Sequence, residues 1–106
     1  NFTIMKEEPF GPLVPMLSFK NFDEVIERSN NNDLGLCSYI CTNSMEKANK
    51  ASELMETGVV AVNTPVVAIA EAPFGGIKQT GYGREGGSNA IKDYLNVKYT
   101  HLGIKG

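Results

Sequence analysis

Residues 72–87 read APFGGIKQTGYGREGG and hold six of the eleven glycines in this 106-residue chain. Each glycine costs backbone entropy on folding. Such a run therefore marks a place where the chain turns through left-handed conformations or where two backbones must touch. It confines the stretch to a connection rather than the interior of a helix or strand. Together with the aperiodic residues from Thr64 onward it makes a connection of roughly 24 residues, a length usually functional or disordered in a compact domain.

The chain before that connection alternates regularly. Leu13 to Phe19 is an apolar run between Pro12 and Lys20 and reads as a buried strand, with Pro15 at an edge or irregular start. Asn21-Phe22-Asp23-Glu24 carries a cap residue with a glutamate three positions on. It predicts a helix to about Arg28, with Phe22, Val25 and Ile26 on its apolar face, stopped by Asn30 to Asp33. Leu36 to Thr42 predicts a second strand. Asn43-Ser44-Met45-Glu46 repeats the Asn-x-x-Glu signal and opens a helix whose Met45, Ala48, Ser52 and Met55 form a core-facing stripe. Thr57-Gly58 is its stop, with Gly58 in the left-handed cap conformation.

Val59 to Asn63 is apolar on both faces, which suits the middle of a parallel sheet. After the glycine run, Ser88 caps a last helix to Leu95, and Val97 to Ile104 reads as a final strand. The fold class expected is α/β, a mostly parallel sheet with flanking helices joined by right-handed crossovers, in one unit spanning residues 1–106.

Charge and composition remove several function classes. Net charge is −2 with no basic face, so no nucleic-acid partner is expected. No apolar run approaches the roughly 20 residues of a membrane span. The start, NFTIMKEEPF, has no secretory h-region and no initiating Met, so residue 1 reads as an internal or trimmed position. The two cysteines, Cys37 and Cys41, fall on one face of the second strand and read as small, unpaired hydrophobes in a reducing compartment, taken as the cytoplasm. The single histidine, His101, sits in the tail and offers neither a base for a thiol nor a triad with Ser88. No metal-ligand spacing is present. The Asn1-Phe2-Thr3 sequon reads as chance.

Two motifs invite a ligand. Gly81-Tyr82-Gly83-Arg84-Glu85-Gly86 matches G-x-G-x-x-G, yet the dinucleotide fingerprint needs a strand directly before it and an acid about 20 residues after it. Neither is there, so a free-standing dinucleotide-binding module ranks last. The glycines are expected instead to serve left-handed turns and close backbone packing. Glu7-Glu8-Pro9-Phe10-Gly11-Pro12 sets two carboxylates beside a ring in a stiff Pro-Gly-Pro bracket. A carboxylate can hold ribose hydroxyls, and a ring can pack on a flat heterocycle.

Three stretches taken together resemble one family. EEPFGP (7–12), GVVAVNT (58–64) and APFGGIKQTGYGREGG (72–87) are similar, in order and spacing, to the C-terminal part of the catalytic domain of NAD(P)-dependent aldehyde dehydrogenases. The GREGG ending and KDYLNVKY tail look most like the succinate-semialdehyde dehydrogenase branch. The resemblance implies an oxidoreductase that turns a small-molecule aldehyde into a carboxylic acid with NAD or NADP, built as a homo-oligomer, dimer or tetramer.

Residue by residue it implies that Glu8 holds the nicotinamide-ribose hydroxyls and that Phe10 packs beside the nicotinamide end. Phe74 lines the aldehyde tunnel, and Ala68, within the loop 65–71, faces the substrate pocket. The strand 97–104 joins a small sheet used in oligomerisation. Thr80 stands where the family usually has Ser. The branch often carries a Ser near position 68, whereas PVVAIAEA has no hydroxyl between Pro65 and Phe74, which leaves uncharged or longer aldehydes open beside succinic semialdehyde.

The family's nucleophilic cysteine, general-base glutamate and oxyanion-hole asparagine lie upstream of the matching region, and Cys37 and Cys41 do not fall on the nucleophile. The resemblance thus assigns no catalytic residue here, and the chain alone is expected to be inactive. The alternative is a natural short chain kept for binding or subunit association.

Overall fold

The computed structural model describes residues 3–104 and 106. Helix α1 spans Phe22–Asn30 and begins where the Asn-x-x-Glu signal places it. Asn21 has extended backbone, and its side chain accepts the Glu24 N–H at 2.9 Å. The Glu24 carboxylate reaches back to the Lys20 N–H at 2.8 Å, a capping box shifted by one residue.

Helix α2 spans Met45–Leu54, but its cap is Ser44 and not Asn43: Ser44 Oγ accepts the Lys47 N–H at 3.2 Å. Its stripe is also narrower than expected. Ala48 and Ala51 are buried, whereas Met45 is 75 % exposed.

Among the described residues four strands form: β1 (Leu34–Gly35), β2 (Cys37–Ile40), β3 (Val59–Val62) and β4 (Ile77–Lys78). β2 and β3 pair in parallel, from Cys37 opposite Val59 to Ile40 opposite Val62, with α2 as the crossover between them. The core lies where that crossover meets the sheet, at Ala48, Ala51 and Ala61. Three alanines let helix and strand approach closely while burying little apolar area.

β1 and β4 pair antiparallel. The expected mostly parallel sheet is thus, among the described residues, two two-stranded sheets, one parallel and one antiparallel. Two further strands expected from the sequence do not form. Residues 13–19 and 97–104 carry no ladder, and both segments are exposed throughout. A strand exists only where its N–H and C=O groups meet a neighbour, and no described strand lies beside these two.

The last helix is shorter than expected: α3 covers Gly87–Ala90 and tightens into a 3₁₀ turn at Ile91–Tyr94. Ser88 lies inside it, and no side chain caps it. The two terminal arms stretch the molecule to 75 × 34 × 23 Å with a radius of gyration of 19.5 Å. A compact domain of this length has about 13 Å.

Candidate functional site

The glycine-rich connection folds back on itself. Gly81, Gly83, Gly86 and Gly87 adopt φ of 119°, 87°, 66° and 58°, the left-handed turns expected of them. Gly58 does not take the left-handed cap expected at the end of α2. Its reason is contact: a Cβ there would stand 1.8 Å from the Gly75 carbonyl oxygen. Phe74 and Glu85 close the loop by exchanging both backbone hydrogen bonds, each at 2.7 Å. Arg84 Nη1 donates to the Gly76 and Gly83 carbonyls at 2.9 and 2.6 Å and ties the interior turn.

Three of the loop's amides are already engaged within the chain. The N–H groups of Gly81, Glu85 and Gly87 donate to the carbonyls of Lys78, Phe74 and Ala70. A phosphate cradle needs such groups free and a helix N-terminus behind them, and α3 is only four residues long. Thr80, which stands where the resembled family usually has Ser, retains the hydroxyl, and its Oγ1 accepts the Gly35 N–H at 2.8 Å. Its methyl fills the space a side chain at Gly76 would need, 2.4 Å from that Cβ position.

The loop walls an open hollow of about 410 Å³. Phe74, half-buried, lines it together with Tyr82 and Arg84. A second hollow of about 570 Å³ lies beyond the C-terminal ends of β2 and β3, lined by Thr42, Ser44, Ser52 and Asn63 among others.

Asn63 is a structural position that the residue pattern alone did not single out. Its φ is 56°. Its N–H donates to the Ile40 carbonyl at 2.8 Å. Its side-chain amide accepts the Thr42 N–H and donates to the Thr42 carbonyl, both at 2.9 Å. The amide thus extends the parallel ladder by one rung and fixes the direction in which the loop to Phe74 departs. An asparagine closing an apolar strand was the available signal, because asparagine tolerates left-handed backbone.

The four residues singled out from the sequence are not gathered into one site. Phe74 lines the smaller hollow; Glu8, Phe10 and Ala68 line neither. Glu8 and Ala68 are exposed, and the Phe10 ring is 97 % exposed on the N-terminal arm. None of the three ion pairs among the described residues engages Glu8. A free carboxylate beside a free ring has the chemistry to grip a ribose and a nicotinamide.

The two cysteines differ in exposure. Cys37 on β2 is half-buried, Cys41 is exposed, and both are free. Burial pushes the Cys37 thiol up, away from the reactive thiolate. His101 bonds the Tyr99 hydroxyl at 3.1 Å in the tail. Among the described residues no cluster of His, Cys, Asp or Glu could hold a metal ion, and no helix is long and apolar enough to cross a membrane.

Comparison with known proteins meets this arrangement from outside. The aldehyde dehydrogenase family profile matches residues 1–100. The chain is 40 % identical over 104 residues to succinate-semialdehyde dehydrogenase (NADP+) of Escherichia coli, covering 98 % of this chain and 22 % of that protein. It is 47 % identical over 98 residues to retinaldehyde dehydrogenase 3 of Rattus norvegicus, covering 92 % and 19 %. A structure described as the NAD+ complex of aldehyde dehydrogenase from Bacillus cereus superposes with a TM-score of 0.93 at 42 % identity, covering 99 % of this chain and 21 % of that one. The chain spans about a fifth of the length of the relatives it matches. With a family match over nearly its whole length and a fold shared at this level of identity, the chain belongs to the aldehyde dehydrogenase family.

Proposed function

We propose that these residues serve an enzyme that oxidises an aldehyde to a carboxylic acid with NAD(P)+, and that they supply walls of its site rather than its reacting groups. The family match over residues 1–100 carries this reading. Glu8 holds the nicotinamide-ribose hydroxyls, Phe10 packs beside the nicotinamide ring, and Phe74 and the loop at Ala68 border the aldehyde. NAD(P)+, when bound, takes the hydride. The chain's own contribution is to bind, to orient and to exclude water.

The 97–104 segment is proposed to pair with a second subunit. Val97 and Ile104 are 102 % and 93 % exposed, an apolar strip of the kind that a neighbouring strand covers.

The relatives' names do not agree on a substrate, since one names a short carboxylated aldehyde and another names retinaldehyde. Around Ala68 the loop PVVAIAEA offers neither a hydroxyl nor a cation to a substrate carboxylate. Any grip on such a carboxylate then comes from residues outside this loop.

The test is aldehyde-dependent formation of reduced nicotinamide by the complete protein. A panel of succinic semialdehyde, glutaric semialdehyde and an uncharged aliphatic aldehyde would be offered with each cofactor. Turnover of at least one member is expected, together with none by the isolated 106-residue chain. No turnover of any member by the complete protein contradicts the proposal. Turnover by the isolated chain, lost on changing Cys37 or Cys41, contradicts the assignment of walls alone.

A further inference from the structure

Lys78 is a lysine in a conformation that lysine avoids. Its φ is 57°, left-handed territory that favours glycine or asparagine. The strain is explained by its side chain. Its Nζ donates to the carbonyls of Asn30 and Asn32 at 2.8 and 3.0 Å and pairs with Glu56 Oε2 at 2.6 Å. Three donors meet three acceptors, so the ammonium is saturated. Asn30 ends α1, and its carbonyl is one that the helix itself leaves unpaired. The Asn30 amide crosses to the end of α2, donating to the Leu54 carbonyl and accepting the Glu56 N–H, both at 2.8 Å. One ammonium and one amide thus gather the C-terminal ends of both helices onto β4.

β4 begins three residues after Phe74, and the residues between are Gly75 and Gly76, which have no side chains to hold them in place. The position of Phe74 is set by the close contact of Gly75 with Gly58, by the Arg84 bond to the Gly76 carbonyl and by two further anchors. One is the bridge to Glu85. The other is the block from Ile77 to Thr80, fixed by β1, by the Gln79 N–H on the Asp33 carbonyl at 2.9 Å and by the Lys78 clasp.

We infer that Lys78 is a positioning residue for Phe74: its ammonium locks the glycine loop to the two helix ends and so sets where the ring faces the aldehyde. The inference rests on the reading of Phe74 as a wall of the aldehyde site.

The test compares Lys78→Asn and Lys78→Arg in the complete protein. Asparagine accepts the left-handed backbone but cannot reach the carbonyls; arginine restores a cation that can. Amide hydrogen exchange would be followed at Phe74 and Glu85, with Asn63 on the parallel ladder as the internal control. Steady-state KM for the aldehyde would be measured alongside.

Lys78→Asn is expected to speed exchange at Phe74 and Glu85 about tenfold or more, with Asn63 unchanged and the aldehyde KM raised with little change in the nicotinamide KM. Lys78→Arg recovers most of both. Glu56→Gln, a milder change at a half-exposed side chain, produces a smaller effect at the same two amides and serves if Lys78→Asn does not fold. Unchanged exchange at Phe74 and Glu85, or an equal rise at Asn63, overturns the inference. Absence of aldehyde turnover by the unsubstituted protein overturns the reading of Phe74 and leaves the exchange data to decide Lys78 alone.

Discussion

At Gly58 the fold leaves no room for any side chain, since the Cβ position lies 1.8 Å from a backbone oxygen. Gly58→Ala is expected to cost about 3 kcal/mol or more, read from the denaturant midpoint, because backbone must move to admit the methyl. The sequence marked this residue, but for a cap rather than for a contact, since a contact with Gly75 is not written in its neighbours.

Asn63 is the sharper case of a missed residue. Asn63→Gly keeps the backbone and loses both hydrogen bonds to Thr42, costing about 1–2 kcal/mol. Asn63→Ala adds the left-handed strain and is expected to cost more. Equal values for the two would show that backbone conformation plays no part. The cysteines separate by exposure: Cys41 is exposed, and burial pushes the Cys37 thiol up. At neutral pH a raised pKa means less thiolate, so iodoacetamide should label Cys41 first, as peptide mass spectrometry would show. Faster labelling of Cys37 would contradict its placement on β2.

Both long helices were legible in the sequence because a helix closes its own hydrogen bonds, so that caps and periodicity suffice. The same Asn-x-x-Glu pattern pointed to the right cap before α1 and the wrong one before α2. Ser44 stands one residue nearer the helix, and its hydroxyl takes the Lys47 N–H. Ser44→Ala should therefore cost about 1 kcal/mol in thermal or denaturant unfolding. Asn43→Ala should stay within about 0.5 kcal/mol. The reverse order would restore Asn43 as the cap.

Strands were legible only where the partner lay close in the chain. β2 and β3 are joined through α2 and pair as their apolar patterns require. β1 and β4 are two residues each, too short to carry a period, and β4 hides inside the glycine run. The 13–19 and 97–104 runs have strand composition but no described neighbour to pair with.

The elongated shape follows from those unpaired segments. An arm carrying Phe10, Val14 and Met16 at 97 %, 83 % and 88 % exposure has not buried its apolar residues, and among the described residues three alanines form the core. The isolated chain is expected to self-associate at micromolar concentration in size-exclusion chromatography, because such patches seek cover. A monomer that binds no apolar dye would contradict that expectation.

The candidate site divides along the same line. The glycine loop that bears Phe74 is held by contacts within the chain, and its turns were legible from glycine spacing. Glu8 and Phe10 stand on the exposed arm; their chemistry suggested a ligand, and the resemblance to a family gave each its specific role.

Their proposed roles can be separated in one set of steady-state measurements on the complete protein with Glu8→Gln and Phe74→Ala. Losing a charged hydrogen-bond acceptor at Glu8 should raise the KM for NAD(P)+ about tenfold or more and leave the aldehyde KM within about twofold. Phe74→Ala should do the opposite, raising the aldehyde KM and sparing the cofactor. If neither variant moves its own KM, or if both move the two constants together, Glu8 and Phe74 do not stand at the two ends of a hydride-transfer site.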